Sequence, residues 1–108
     1  MNHTINIKPL SVNEAFNGIR TRSKKYDAFI KSMMFLLPKQ IEYPDPLNIK
    51  LAIEFGFSSK ASDLDNHLKS LIDCLVKKYK TDDKHIQEIH AFKAIVKKGE
   101  EYIKFRIY

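Results

Sequence analysis

Four side chains of this sequence could handle a phosphate: Asp63 and Asp65, separated by one residue, Lys69 four positions on, and Asp83 beyond the next turn. Carboxylates are hard oxygen donors, and without soft ligands beside them they suit Mg²⁺ or Mn²⁺ rather than zinc. The only sulfur thiol, Cys74, falls on another side of the helix. Three converging carboxylates on a basic chain point to metal-assisted phosphodiester hydrolysis, in which metal ions bridge the scissile phosphate, activate water and neutralise the leaving oxygen. Lys69 could hold the phosphate or offset charge gathering on it.

Plainer readings stand beside this one. Asp63 and Asp65 also suit the first turn of a helix, where the macrodipole favours acidic groups, with Ser62 and Asp65 forming a capping box. Lys69 also suits an i,i+4 ion pair with Asp65 or Asp73. An EF-hand is excluded: a loop opening at Asp63 puts Leu68 at the required glycine and Cys74 at the bidentate glutamate.

The element that must position these groups is a helix over 63–79, with apolar residues at Leu64, Leu68, Leu71, Ile72, Leu75, Val76 and Tyr79. Its spacing of three and four predicts one buried stripe. At roughly 100° per residue, Asp65 falls at the edge of that stripe, which capping alone does not explain. His67 falls on the outer face and is expected to be solvated. His85 follows Asp83 closely and reads as structural, while His3 and His90 carry no signal.

Ahead of this helix, Leu47, Ile49, Leu51, Ile53, Phe55 and Phe57 alternate with Asn48, Lys50, Ala52, Glu54 and Gly56, the clearest strand in the chain. The linker Ser58–Ser62 then delivers the aspartates at a strand end. Earlier still, Ile5 and Ile7 predict a short strand closed by Pro9. Arg20, Arg22, Lys24 and Lys25 form a basic lip on a loop, and Ser23 caps a helix whose inward residues are Tyr26, Phe29, Ile30, Met33 and Leu37, ended by Pro38. After Asp82 and Asp83, residues 86–97 read as a strand with Ile89, Ala91 and Ile95 on one side and Lys93 intruding on it. A turn at Lys97–Glu100 leads to a last strand over 102–108. The order β-α-β-α-β-β predicts an α+β (mixed α/β) fold, one domain over 1–108, with a four-stranded mixed sheet and two helices.

With 108 residues the chain has room for one modest core, and a lone cysteine forms no internal disulfide. The first residues lack the pattern of a signal peptide, and the longest apolar run, Met33–Leu37, is too short to span a bilayer. No membrane partner and no small-molecule cofactor are expected. The formal charge of +6 favours polyanions.

Taken in order, Asp63-Leu64-Asp65-Asn66, Lys69, Asp73, Asp82-Asp83 and Lys93 resemble the signature of the RusA family of crossover-junction endodeoxyribonucleases, the Holliday-junction resolvases of bacteria and their prophages. Pro9-Leu10-Ser11-Val12-Asn13 resembles the family's opening loop. The resemblance implies metal binding by Asp63, Asp65 and Asp83, catalysis by these and Lys69, and supporting roles for Asn66, Asp73 and Asp82. It also implies Mg²⁺ or Mn²⁺ as cofactor, branched DNA as substrate, a homodimer and a place in the bacterial cytosol. DNA contacts are expected from Asn13, Arg20, Arg22, Lys24, Lys25, Lys60 and Lys93. Relatives often carry proline or several basic residues ahead of the D-x-D, whereas here Lys60 stands among serines and alanine, which leaves more of the grip on DNA to the basic lip. Two cuts in a four-way junction suit a two-fold dimer with two sites. A non-catalytic branched-DNA-binding module of the same fold is the alternative, and a small metal-dependent ribonuclease a further one.

Overall fold

Strand β4 (Ile49–Phe57) is the centre of the molecule, because its alternating residues Ile49, Leu51, Ile53, Phe55 and Phe57 are all buried. In this computed structural model, residues 2–11, 16–17, 21–42 and 44–108 are described, with backbone alone at 16–17 and 21–22. The elements in chain order are β1 (His3–Ile5), β2 (Phe16–Asn17), β3 (Thr21–Arg22), α1 (Lys24–Leu36), β4, α2 (Asp65–Tyr79), a 3₁₀ turn at Asp83–His85, β5 (Ile86–Ile95) and β6 (Tyr102–Ile107). The main sheet has the order β1-β6-β4-β5, and β2 and β3 form a separate two-stranded ribbon within the stretch expected to be loop.

The connectivity follows from chain length between strands. A tight turn through Gly99, whose φ is +93°, joins β5 to β6. Sheet order then places β6 on the far side of β4, antiparallel to it, while β4 and β5 are parallel and joined through α2. A parallel pair needs such a crossover. The inward row Leu51, Ile53 and Phe55 lies level with Ile107, Phe105 and Ile103, and each fully buried side chain of this kind contributes ~1.5–3 kcal/mol. This is the expected single α+β domain with two helices and a four-stranded mixed sheet.

Helix α1 follows its pattern closely. The Ser23 hydroxyl accepts from the Tyr26 N–H at 3.1 Å, and Tyr26, Phe29, Ile30, Met33 and Leu37 are buried. Helix α2 departs from its pattern. It begins at Asp65 rather than Asp63, with Leu64 at the cap position and no side-chain cap, so Ser62 forms no capping box. Its buried residues are His67, Ser70, Leu71, Cys74 and Leu75, a face turned roughly a quarter turn from the expected stripe. Small side chains at 70 and 74 let the helix lie close on the aromatic layer of β4, while Leu64, Leu68, Ile72 and Tyr79 close the flank half-buried. Two further corrections concern strands. Leu47 is exposed in a turn, where its N–H donates to Asp45 Oδ1 at 3.0 Å, and β1 ends at Ile5 rather than near Lys8.

Candidate active site

The loop from Ser58 to Leu64 leaves the end of β4 and carries Asp63 to the start of α2, so backbone constraint at both ends determines where the acidic pair points. Asp63 and Asp65 are exposed. Asp65 therefore does not sit at the edge of the apolar face, because the rotation of α2 puts it on the solvent side. Asn66 Nδ2 donates to Asp63 Oδ2 at 3.4 Å, a long bond that orients the carboxylate without covering it.

His67 is the largest departure at the residue scale. It is buried rather than solvated, with its ring 4.5 Å from that of Phe57 and 5.9 Å from that of Phe55. Its Nδ1 lies 2.7 Å from the Asp63 carbonyl oxygen. A carbonyl only accepts, so the proton is on Nδ1. The imidazole thus ties the D-x-D loop to the core. A usable signal was present in the sequence: 67, 71, 74 and 78 also share one helical face.

Lys93 holds the same loop from the sheet. It lies in register with Phe55, and its ammonium donates to the Ser62 carbonyl at 3.1 Å and the Lys60 carbonyl at 3.5 Å. The cation that intrudes on the apolar side of β5 therefore reaches the loop bearing the aspartates. A cleft of about 150 Å³ beside it is lined by Lys8, Pro9, Phe57, Ser58, Ser59, Ser62, His67 and Glu101. In it the Ser58 hydroxyl and the Gly99 N–H donate to the Glu101 carboxylate at 2.8 and 2.7 Å. The Glu101 acid is held below its usual range first by its own backbone N–H, then by the Ser58 hydroxyl and, more weakly, the Gly99 N–H.

Lys69 pairs with Asp73 Oδ1 at 3.1 Å, the i,i+4 bridge, while the Tyr26 hydroxyl donates to Asp73 Oδ2 at 3.2 Å. That second bond sets the first turn of α1 beside α2, and Lys78 and Tyr79 tie the far ends of the helices through the Met34 and Pro38 carbonyls. The two helices run the same way, so Lys24 and Lys25, both exposed, stand at the Asp63 end of the molecule. Lys60 is exposed on the site loop itself. Asn13 and Arg20 lie outside the described residues, and Arg22 is described as backbone in β3.

Asp83 is not with the others. Ile49 pairs with Ile86 and Phe57 with Ile95, so the start of β5 lies at the opposite end of the sheet from the D-x-D loop. Helix α2, 15 residues long, carries the chain back along the sheet, which separates Asp83 from Asp63 and Asp65 by on the order of 20 Å. Among the described residues no group of three acidic, histidine or cysteine side chains could share a metal ion. The expected gathering of three aspartates within one chain is therefore not what the crossover produces. Asp83 is exposed in the 3₁₀ turn. Asp82 caps that turn, accepting from the Lys84 N–H at 3.1 Å, and this bond is the main cause holding its carboxyl below the usual range. Cys74 is buried, and burial pushes its thiol up to about 12, so it is no metal ligand.

The fold and site together define a small α+β domain on a basic chain that presents a D-x-D pair where a strand gives way to a helix. The sequence model of the endodeoxyribonuclease RusA family matches residues 11–106, nearly the whole chain. The chain belongs to that family, and with it to the nucleases that hydrolyse DNA internally. A search of curated proteins gives no match. Among the described residues no helix is long and apolar enough to cross a membrane.

Proposed function

We propose that this protein is a divalent-metal-dependent endonuclease that resolves Holliday junctions in the bacterial cytosol by paired, symmetric nicks, acting as a homodimer. The observation that carries the reading is the family match, which spans an exposed Asp63–Asp65 pair on a loop pinned by both His67 and Lys93. The donor set fits Mg²⁺ or Mn²⁺ in kind, being all carboxylate oxygen. It fits in number only if Asp83 comes from a second copy, since one chain keeps it at the other end of the sheet.

In this reading Asp63 and Asp65 hold the ion, with Asn66 orienting the Asp63 carboxylate. The bound ion supplies an activated water at neutral pH and neutralises charge on the phosphate. Lys69 exchanges Asp73 for a phosphate oxygen and steadies the charge that grows on it. Asp73 stays hydrogen-bonded to Tyr26 as Lys69 leaves, so no buried carboxylate is stranded. Lys24, Lys25 and Lys60 neutralise neighbouring phosphates and set the register on DNA without reading sequence.

Incubation of the protein with a synthetic four-way junction and Mg²⁺ or Mn²⁺, beside the Asp65→Asn variant, tests this. Paired nicks at symmetric positions, lost in the variant, are expected. Junction binding without cleavage by the unmodified protein would favour the non-catalytic module.

A further inference from the structure

One face of the main sheet carries neither helix. The inward residues of β4 and β6, Leu51, Ile53, Phe55, Ile103 and Phe105, share a core with α1 and α2, so the alternate residues look out on the other side. At the middle of that open face Ala52 stands between Arg106 of β6 and His90 of β5, and Glu54 between Lys104 and Phe92. The short side chain of Ala52 leaves a hollow of about 240 Å³, lined by Lys104 and Arg106 from β6 and by Phe92 from β5. Its two walls differ in chemistry. The β6 wall is cationic: the Arg106 guanidinium stacks 4.7 Å from the centre of the Tyr108 ring, and neither it nor Lys104 has a carboxylate within ion-pair distance among the described residues. The β5 wall is aromatic: Phe92 is 60% exposed, whereas the other exposed large apolar residues of the strands, Ile89 and Ile95, lie on the helix side. The carboxylates of this face are already engaged, Glu54 by the Tyr102 hydroxyl at 2.5 Å, and Glu88 by His90 at 2.7 Å and Lys50 at 3.9 Å.

Cations alone would suit any polyanion, and an exposed phenyl ring alone would suit any apolar surface. Both across one hollow suit a chain that carries phosphates and flat, accessible bases together, which is single-stranded nucleic acid. A duplex keeps its base faces inside the stack and offers nothing to Phe92. We infer that the open face of the sheet binds single-stranded nucleic acid, one base stacking on Phe92 in the hollow over Ala52 while Lys104 and Arg106 hold the adjoining phosphates. Ala52 lies five residues before the end of β4, roughly 16 Å along the strand from the loop that bears Asp63. The strand held here is therefore a different part of the substrate from the one that is cut. For that consequence the inference rests on the nuclease reading: the protein favours branched DNA with an unpaired arm over a junction of four full duplexes.

The surface can be tested in EDTA, where a metal-dependent nuclease is idle. The sequence has no tryptophan, so Phe92→Trp puts a single indole on the aromatic wall, and Phe35→Trp, on the exposed side of α1, is the control. A short oligothymidine should quench the indole of Phe92→Trp and leave that of Phe35→Trp unchanged. Adding Lys104→Ala and Arg106→Ala to Phe92→Trp should move the midpoint of that titration at least several-fold toward weaker binding. It should also flatten the slope of log affinity against log salt by about 1.4, the share of two phosphate contacts on a single strand. Oligothymidine that fails to bind, or binds without quenching Phe92→Trp, would overturn the inference. So would equal quenching by a duplex of the same length or by polyglutamate, which would assign the face to duplex backbone or to an acidic protein. Junction cleavage in Mg²⁺ without such quenching would leave the nuclease reading standing and remove this surface; quenching without cleavage of any branched DNA would do the reverse.

Discussion

Lys69 has two partners to choose between, and the geometry separates its structural part from its chemical one. Its bridge to Asp73 is solvent-exposed on the lysine side, and pairs of that type contribute only ~0.3–0.5 kcal/mol. Lys69→Ala should therefore leave the urea midpoint almost unchanged while junction cleavage falls at least a hundredfold; equal losses of stability and activity would make it a structural residue. His67 should behave in the opposite way. His67→Ala opens space against Phe55 and Phe57 and frees the Asp63 carbonyl, so it should cost about 2 kcal/mol of stability and loosen the acidic loop. The thiol of Cys74 gives a pH dependence. Its folded pKa lies above the ordinary 9.0, at about 12, so its contribution to stability is complete below pH 9.0 and is lost as pH rises toward 12. Urea midpoints measured across that window should fall less steeply in Cys74→Ala than in the unmodified protein. At this scale the types and spacing of Asp63, Asp65 and Lys69 were readable from the chain. The burial of His67 and the exposure of Asp65 were not, because both depend on which of two overlapping helical stripes meets the sheet.

At the scale of elements, β4 and α1 were legible because each carries one dominant period: strict alternation in the first, a three-four spacing with a serine cap in the second. Helix α2 offered two faces sharing Leu71 and Leu75, and packing chose the one with smaller residues at 70 and 74. The open side of the sheet has its own constraint. The Tyr102 ring lies over Gly56 and leaves no room for a Cβ there, while its hydroxyl donates to Glu54 at 2.5 Å. Gly56→Ala must displace that ring, and an expected loss of ~1–3 kcal/mol, read from thermal unfolding, checks this. Lys93 belongs to the same scale, since it couples β5 to the site loop through two carbonyls. Lys93→Met keeps the stem and removes the donor, so cleavage should weaken with little change in junction affinity. A loss confined to affinity would return Lys93 to a plain phosphate contact.

For the whole molecule, the two helices and the four-stranded mixed sheet were legible in the sequence, and the β2-β3 ribbon and the separation of Asp83 from Asp63 were not. Local pattern reports which residues face inward; the distance between two loops depends on strand direction, and the parallel pairing of β4 with β5 sends them to opposite ends. In the proposed homodimer, sharing aspartates between copies would convert that distance into a symmetric pair of sites, which suits a substrate needing two matched cuts. The most direct measurement mixes two inactive proteins, Asp65→Asn and Asp83→Asn, after subunit exchange, and follows cleavage of a four-way junction in Mg²⁺. Sharing predicts that each mixed dimer regains one intact site, so nicking returns at about a quarter of the unmodified site concentration, one strand per junction. A mixture as inactive as its parents would contradict the shared site and the account built on it.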